Sequence, residues 1–284
     1  MGRPSGDAAD ELTSAMDELV EDHFHRWSQG VCPPSPEERR RAVHAWLSAQ
    51  VSPYKAVATA LVARIEPLLG ALKRALPPQE KNRFLYRLDG GNIVKSPASI
   101  LEKMAREWCE KGRQGAPCIG FDDLRNFKDL GRFRIVANFL SDADNIKRKL
   151  ETPYDARRRP HLSEEEQRLQ QEFMLAGNAF EDLISLHPAQ RKSGERCFKA
   201  SFSPRSGDYQ ACRVEVQIVT AFQEAWDKKD HFLIYERRRM GHPVSESDLR
   251  VSFALSEQIH VADLLFDQLK RGIATGPVPP STKE

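Results

Sequence analysis

One run of eight residues restricts what this chain can fold into more than any other. From Arg213 to Thr220 the sequence alternates. Val214, Val216, Ile218 and Thr220 fall on one side of an extended backbone, and Arg213, Glu215 and Gln217 on the other, because strand side chains alternate with period two. Such a strand has one apolar face for a core and one polar face that presents a carboxylate and an amide. The spacing then changes to helical, with Phe222, Ala225, Trp226, Lys229 and Leu233 on one stripe. A strand running straight into a helix calls for a sheet with helices packed on it.

The rest of the chain agrees with a mixed α/β core carrying helices at both ends. Residues 1–80 read as a helical extension. Leu12, Met16, Leu19, Val20 and Phe24 make one helical face between Asp10 and Trp27. Gly30 to Ser35 is a break, and Ser35-Pro36 is an N-cap followed by proline at the first helical position. A further helix is predicted from Ser52-Pro53 to Leu76, and another from Ser96-Pro97 with Ile100, Leu101, Met104 and Trp108 on its buried side. Phe133 to Phe139 reads as a strand. Residues 150–180 read as a loop plus a helix. Cys197–Ser203 and Arg213–Thr220 flank a turn cluster, which predicts a hairpin. A last helix is expected from Glu246 to Lys270, stopping near Gly272. The domain reading is therefore 1–80 N-terminal helices, 81–240 the sheet-bearing domain, 241–272 a C-terminal helix and 273–284 a disordered tail.

Charge and cysteine usage narrow the class. The 43 basic and 41 acidic residues leave a net charge of +2, so nucleic-acid affinity would need local clusters. Three arginine triplets, at 39–41, 157–159 and 237–239, are the candidates. No apolar run approaches the roughly 20 residues needed to span a bilayer, and Met1 to Ser5 starts no signal-peptide pattern. A cytoplasmic location is expected, with no membrane partner. The five cysteines are scattered with no C-x-x-C pair, which argues against a disulfide framework or zinc site. His23 and His25 read as a surface pair.

Four blocks between about residues 84 and 239 together resemble the synthetase domain of the RelA/SpoT family, the makers of the alarmone (p)ppGpp. Lys95-Ser-Pro-Ala-Ser99 with Lys103 is similar to the family's basic helix that embraces ATP phosphates. Asp129-Leu-Gly-Arg-Phe-Arg134-Ile-Val136 is similar to D-L-x-G-x-R-I-V, whose aspartate holds magnesium. Glu181-Asp-Leu-Ile184 followed by Gly194 and Lys199 stands in the place of K-D-Y-I and G-Y-x-x-x-[HK]. Glu215-Val-Gln217-Ile-Val-Thr220, with Trp226 and His231, completes the set.

The resemblance implies an α+β fold, a mixed sheet flanked by helices of the nucleotidyltransferase-like synthetase type. It implies an ATP-dependent nucleotide pyrophosphokinase, a transferase that moves the β,γ-phosphates of ATP onto a ribose 3′-hydroxyl. Mg2+ would be the cofactor and ATP the donor. Charge builds on phosphate oxygens during such a transfer, so cations must stand ready. Lys95, Ser99, Lys103 and Arg134 are the implied ATP-binding residues. Asp129 and Glu215 are the implied catalytic and metal-binding carboxylates. Glu195, Lys199, Gln217 and His231 are the implied acceptor-binding residues. Taken singly, each has a plainer reading: Lys103 as surface, Asp129 as a turn residue, Glu215 as a cross-strand partner of Arg134, His231 as a structural histidine.

The departures lie on the acceptor side. Glu195 stands where the family has a tyrosine that stacks on guanine, Ile93 replaces the first basic residue of the helix motif, and Val219 replaces the arginine of E-x-Q-I-R-T. No adjacent His-Asp pair marks a hydrolase domain. Three readings remain open: a pyrophosphokinase with a nucleotide acceptor, a toxin-type enzyme acting on the 3′ end of tRNA, or an inactive nucleotide-binding or interaction module. A homo-oligomer or an antitoxin partner would be compatible with any of them.

Overall fold

Ser35 shows how local chemistry starts the scaffold. Its hydroxyl accepts the Glu38 amide at 3.2 Å and the Glu38 carboxylate returns to the Ser35 amide at 3.3 Å. This reciprocal cap satisfies two amides that the first turn leaves without partners. In the computed structural model, which describes residues 6–27, 35–91, 93–114, 120–190, 193–239 and 242–275, helix α1 spans Gly6–Trp27 and α2 spans Pro36–Ala75. The expected break before Pro53 does not exist: α2 runs unbroken through Pro53 and Pro67. Each proline removes a helical hydrogen bond, at a cost of about 3 kcal/mol. The stripe Val43, Leu47, Val51, Tyr54, Ala58, Leu61, Ile65 and Leu68 stays in register across Pro53 and is fully or almost fully buried. At roughly 1.5–3 kcal/mol per large buried side chain, that stripe outweighs both prolines.

The other helices are α3 (Pro78–Lys81), α4 (Pro97–Arg113), α5 (Leu140–Glu151), α6 (Glu164–Glu172), α7 (Ala221–Asp230), α8 (Glu236–Arg239) and α9 (Glu246–Thr275). The strands are β1 (Tyr86–Asp89), β2 (Gly131–Ala137), β3 (Phe173–Leu175), β4 (Glu181–Asp182), β5 (Phe198–Pro204) and β6 (Val214–Thr220). They form one mixed sheet ordered β1-β2-β6-β5-β3, with β4 also pairing with β5. Only β2 and β6 run parallel; the predicted hairpin is β5 and β6. The fold class is therefore the expected α+β arrangement.

Parity decides the layers. Phe133, Ile135, Val214, Val216 and Ile218 join α1, α2, α4 and α5 in one core. Their odd-step neighbours Arg132, Arg134, Glu215 and Gln217 face the other way. Farther along that second face, Val136, Val219 and Cys197 make a small apolar cluster.

Other sequence expectations change as well. The short strand β3, three residues long, lies where only a loop and a helix were expected, and the two-residue β4 follows just beyond; alternation over so few residues carries no signal. Helix α9 passes through Gly272 to Thr275, because a glycine stops a helix only where it takes the left-handed conformation, and Gly272 does not. Of the stripe expected along α7 and the turn after it, only Trp226 is buried. Gln223, Glu224 and Trp226 are buried, whereas Phe222 and Leu233 remain 41% and 52% exposed. Glu224 is tolerated inside because Arg87 and Lys228 pair with it. The Gly30–Ser35 break and the tail fall largely outside the described residues, as do Cys32 and Cys118. Cys109, Cys197 and Cys212 are free thiols. His23, expected at the surface, is buried between Trp46 and Phe121, while His25 is exposed.

Candidate active site

The segment before α4 is stitched onto the start of β2. Arg132 donates its amide to the Ile93 carbonyl at 2.9 Å, and Lys95 to that of Leu130 at 3.0 Å. This places the Lys95 side chain against Asp129, in the turn leading into β2. Ser96 caps α4 by accepting the Ser99 amide at 3.2 Å, and two turns on the same helix carries Lys103. Both ammonium groups reach one carboxylate: Lys95 Nζ lies 2.9 Å from Asp129 Oδ2 and Lys103 Nζ 2.9 Å from Oδ1. Lys103 also stands 4.7 Å over the Phe127 ring. Burial alone would raise the Asp129 pKa, but the bonds from Lys103 and Lys95 outweigh it and hold the carboxyl at about 2. Asp129 is ionised at any physiological pH.

Across the sheet, register sets the polar face. Arg132 lies opposite Glu215 and Arg134 opposite Gln217, so Glu215 does not face Arg134. Arg134 Nε donates to Gln217 Oε1 at 2.8 Å, and its Nη1 meets Asp227 at 2.6 Å. Gln217 Nε2 donates to Glu215 Oε1 at 2.9 Å and to Glu195 Oε1 at 3.2 Å. Lys199 closes the row with an ion pair to Glu195 at 3.1 Å. One amide thus hands charge order across three strands: cation, amide, carboxylates, cation. Burial raises the Glu215 pKa; Lys199 opposes this and the Asp129 charge adds to it. For Lys199, burial lowers the pKa but Glu215 and Glu195 together raise it.

Glu195 is held by the far end of the chain. Arg196, beside it and buried, forks onto Glu257 of α9 at 3.0 and 2.8 Å. Ser256 Oγ donates to the Gly194 carbonyl. Gly194 lies so close to Trp226 that a Cβ there would sit 2.4 Å from a ring carbon. Trp226 is in turn fixed by its Nε1–H, which donates to the Ser252 carbonyl at 3.0 Å.

Asp129, Lys103 and the polar face of the sheet border an open cleft of about 950 Å3. Of the expected residues, Lys103, Asp129, Arg134, Glu195, Lys199, Glu215, Gln217 and His231 all line it. Lys95 reaches it only through Asp129. Ser99 does not line it; its hydroxyl is bonded to that of Ser96 at 2.9 Å. His231 is exposed at the rim, its ring 4.7 Å from that of Tyr235. Sequence reasoning missed Asp227, which sits directly after Trp226, and Arg132, which the strand pairing sets opposite Glu215.

Among the described residues no group of three or more His, Cys, Asp or Glu is arranged to hold a metal ion. Mg2+ asks less than that. It is held by one or two carboxylates, with phosphates and water completing six oxygens. Asp129 and Glu215, both bordering the cleft and each within electrostatic reach of the other, fit such a donor set.

No family model matches the sequence, and no match is found among the curated proteins. Solved structures do match. The crystal structure of small alarmone synthetase 1 from Bacillus subtilis aligns with a TM-score of 0.53 at 17% identity, covering 81% of this chain and 98% of that one. The same protein bound to its product pppGpp aligns with a TM-score of 0.53 at 18% identity, covering 81% of this chain and all of that one. The chain has the fold of the small alarmone synthetases.

Proposed function

We propose that this chain is a pyrophosphokinase that transfers the β,γ-pyrophosphate of ATP to the ribose 3′-hydroxyl of a nucleotide acceptor. The observation that carries the reading is the Lys95–Asp129–Lys103 cluster, whose Asp129 and Lys103 share a cleft with Arg134 and Glu215. Two cations already stand together on one carboxylate, and incoming phosphates compete with Asp129 for them. Arg134 adds a third cation. The oxygen of the 3′-hydroxyl attacks the β-phosphorus, the bond between that phosphorus and the α–β bridging oxygen breaks, and AMP leaves. The hydroxyl proton goes to Glu215, whose burial-raised pKa makes it a better base near neutrality than a solvated carboxylate. Asp129 would hold Mg2+, which, when bound, would shield the phosphate charge against the entering oxygen; Glu215 could share the ion only in place of serving as the base. Ser99 and His231 are peripheral in this scheme, at the helix cap and the rim.

On the acceptor side, Glu195, Lys199 and Gln217 form a hydrogen-bonding edge in place of a stacking ring. This edge suits an acceptor read by its donors and acceptors. The tRNA reading has less behind it: Arg39 and Arg40 of the first triplet are held by Glu21 and Asp17. The expected oligomer or antitoxin partner finds support in α9, where Val251, Leu255, Val261, Leu265 and Leu269 are all about half exposed; light scattering of the purified chain tests it. No helix among the described residues is long and apolar enough to cross a membrane.

The decisive experiment measures AMP released from ATP and Mg2+ with GTP, GDP, ATP or deacylated tRNA as acceptor. AMP with a free nucleotide supports the proposal, and AMP only with tRNA replaces the acceptor. No AMP with any of them overturns it in favour of a binding module.

A further inference from the structure

Helix α9 meets the rest of the chain through polar groups. Among the described residues its buried side chains, Ser256, Asp263 and Asp267, are all polar, whereas its Val251, Leu255, Val261 and Leu269 remain about half exposed. Buried polar groups need partners, so the bonds they make decide where the helix sits. Those bonds fall in two sets. Toward its C-terminus α9 holds two helix starts: Thr220, the cap of α7, donates to Asp263 at 2.6 Å, and the Ser141 amide in the first turn of α5 donates to Asp267 at 2.9 Å. Toward its N-terminus it holds the segment 194–196. Ser256 Oγ donates to the Gly194 carbonyl. Arg196, only 4% exposed, donates from Nη2 to both Glu257 oxygens, at 3.0 and 2.8 Å, and from Nη1 to the Ile184 carbonyl just after β4.

Glu195 and Arg196 are chain neighbours whose side chains go to different places, Glu195 into the main cleft and Arg196 to α9. One peptide plane joins them. Fixing the guanidinium and the Gly194 carbonyl therefore fixes the backbone from which Glu195 reaches Gln217 at 3.2 Å and Lys199 at 3.1 Å. Neither Arg196 nor Glu257 lines that cleft.

We propose that Arg196 and Glu257 are positioning residues for the acceptor: from outside the cleft, their pair sets the orientation of Glu195. The inference rests on the acceptor role given to Glu195 above. Loss of the pair frees the 194–196 backbone, and the carboxylate no longer stands ready against Gln217 and Lys199. The Lys95–Asp129–Lys103 cluster stands apart, on α4 and the turn into β2, so ATP affinity should not follow.

Three variants of the full chain test this. Glu257→Gln keeps the shape of the side chain and replaces one accepting oxygen with a donor. Arg196→Met combined with Glu257→Leu removes both charges together, which a buried pair tolerates better than the loss of one partner, and guards against a variant that fails to fold. Lys270→Met is the control, because it breaks an α9 ion pair with Asp142 of α5, away from the segment. The first readout needs no turnover: alkylation of Cys197 by iodoacetamide, mapped by mass spectrometry. This thiol is buried and lies 3.7 Å from Glu195 Oε1, so it reacts only when the segment opens. Both pair variants should speed the reaction several-fold, and Lys270→Met should not. The second readout is steady-state AMP release. Both pair variants should raise the acceptor KM about tenfold, the scale of one charge-assisted hydrogen bond, with kcat and the ATP KM unchanged. An unchanged Cys197 rate in the pair variants, or an equal rise with Lys270→Met, overturns the hold of the pair on the segment. Faster alkylation with an unchanged acceptor KM, or with kcat and both KM values altered together, overturns the positioning role. No AMP from wild type with any acceptor overturns the proposed reaction and the acceptor role with it, while alkylation still decides whether the pair holds Glu195 in place.

Discussion

Replacing Asp129 by asparagine keeps the shape of the side chain and removes the charge between Lys95 and Lys103. The folded carboxyl is depressed from 3.8 to about 2. At 1.36 kcal/mol per pKa unit, that shift corresponds to roughly 2.4 kcal/mol of stability at neutral pH. The side chain is 20% exposed, so solvent screening removes little of it. Asparagine still accepts one hydrogen bond, which leaves an expected loss of about 2 kcal/mol, or about 4–8 °C in melting temperature for a chain of this size. The sign follows from a depressed acid: the contribution is fully present above 3.8 and disappears as pH falls through about 2. Melting curves of wild type and Asp129→Asn should therefore be separated at pH 7 and converge toward pH 2. In the functional assay the two effects point in opposite directions. The freed lysines should bind ATP more tightly in the presence of a chelator, while AMP release with Mg2+ and acceptor should be lost. A variant that melts with wild type at every pH would refute the ion-pair reasoning. One that keeps full turnover would refute the catalytic assignment of Asp129.

Three further outcomes follow from single contacts. Asp227→Ala removes a carboxylate 2.6 Å from Arg134 and should tighten ATP binding several-fold, more for ATP than for ADP or AMP; an equal gain for all three would mean that Arg134 does not meet the terminal phosphates. Glu195→Tyr should improve guanine-nucleotide affinity by about tenfold, the worth of one base stack, and titration with GTP against wild type reads it; wild type that already binds GTP tightly would sink the idea that Glu195 alters the acceptor. Gly194→Ala drives a methyl group into the Trp226 ring and should cost about 1–3 kcal/mol, the usual penalty of overpacking, visible as a lower melting temperature and an altered tryptophan emission; an unchanged melt would show that the ring moves freely.

Much of this architecture was legible because it is written in short-range physics. Alternation from Val214 to Thr220 needs only the two-residue repeat of a strand, and Ser35-Pro36 and Ser96-Pro97 mark helix starts through bonds that close within three residues. The four motif blocks pointed to eight of the residues that border one cleft, since a strand's polar face and a helix's basic face can be read one element at a time. What stayed hidden depends on partners distant in sequence. Whether Glu215 faces Arg132 or Arg134 is a matter of register between β2 and β6, and a shift of two residues preserves every inward and outward face. The continuity of α2 through Pro53 was settled by the core it packs on, because the burial of a long stripe outweighs local helix breaking. Likewise α7 turned Glu224 inward because Arg87, 137 positions away, supplies its charge. The closeness of Gly194 to Trp226 and the clamp of Lys95 and Lys103 on Asp129 exist only once separate elements are brought together, and no single segment of the chain encodes them.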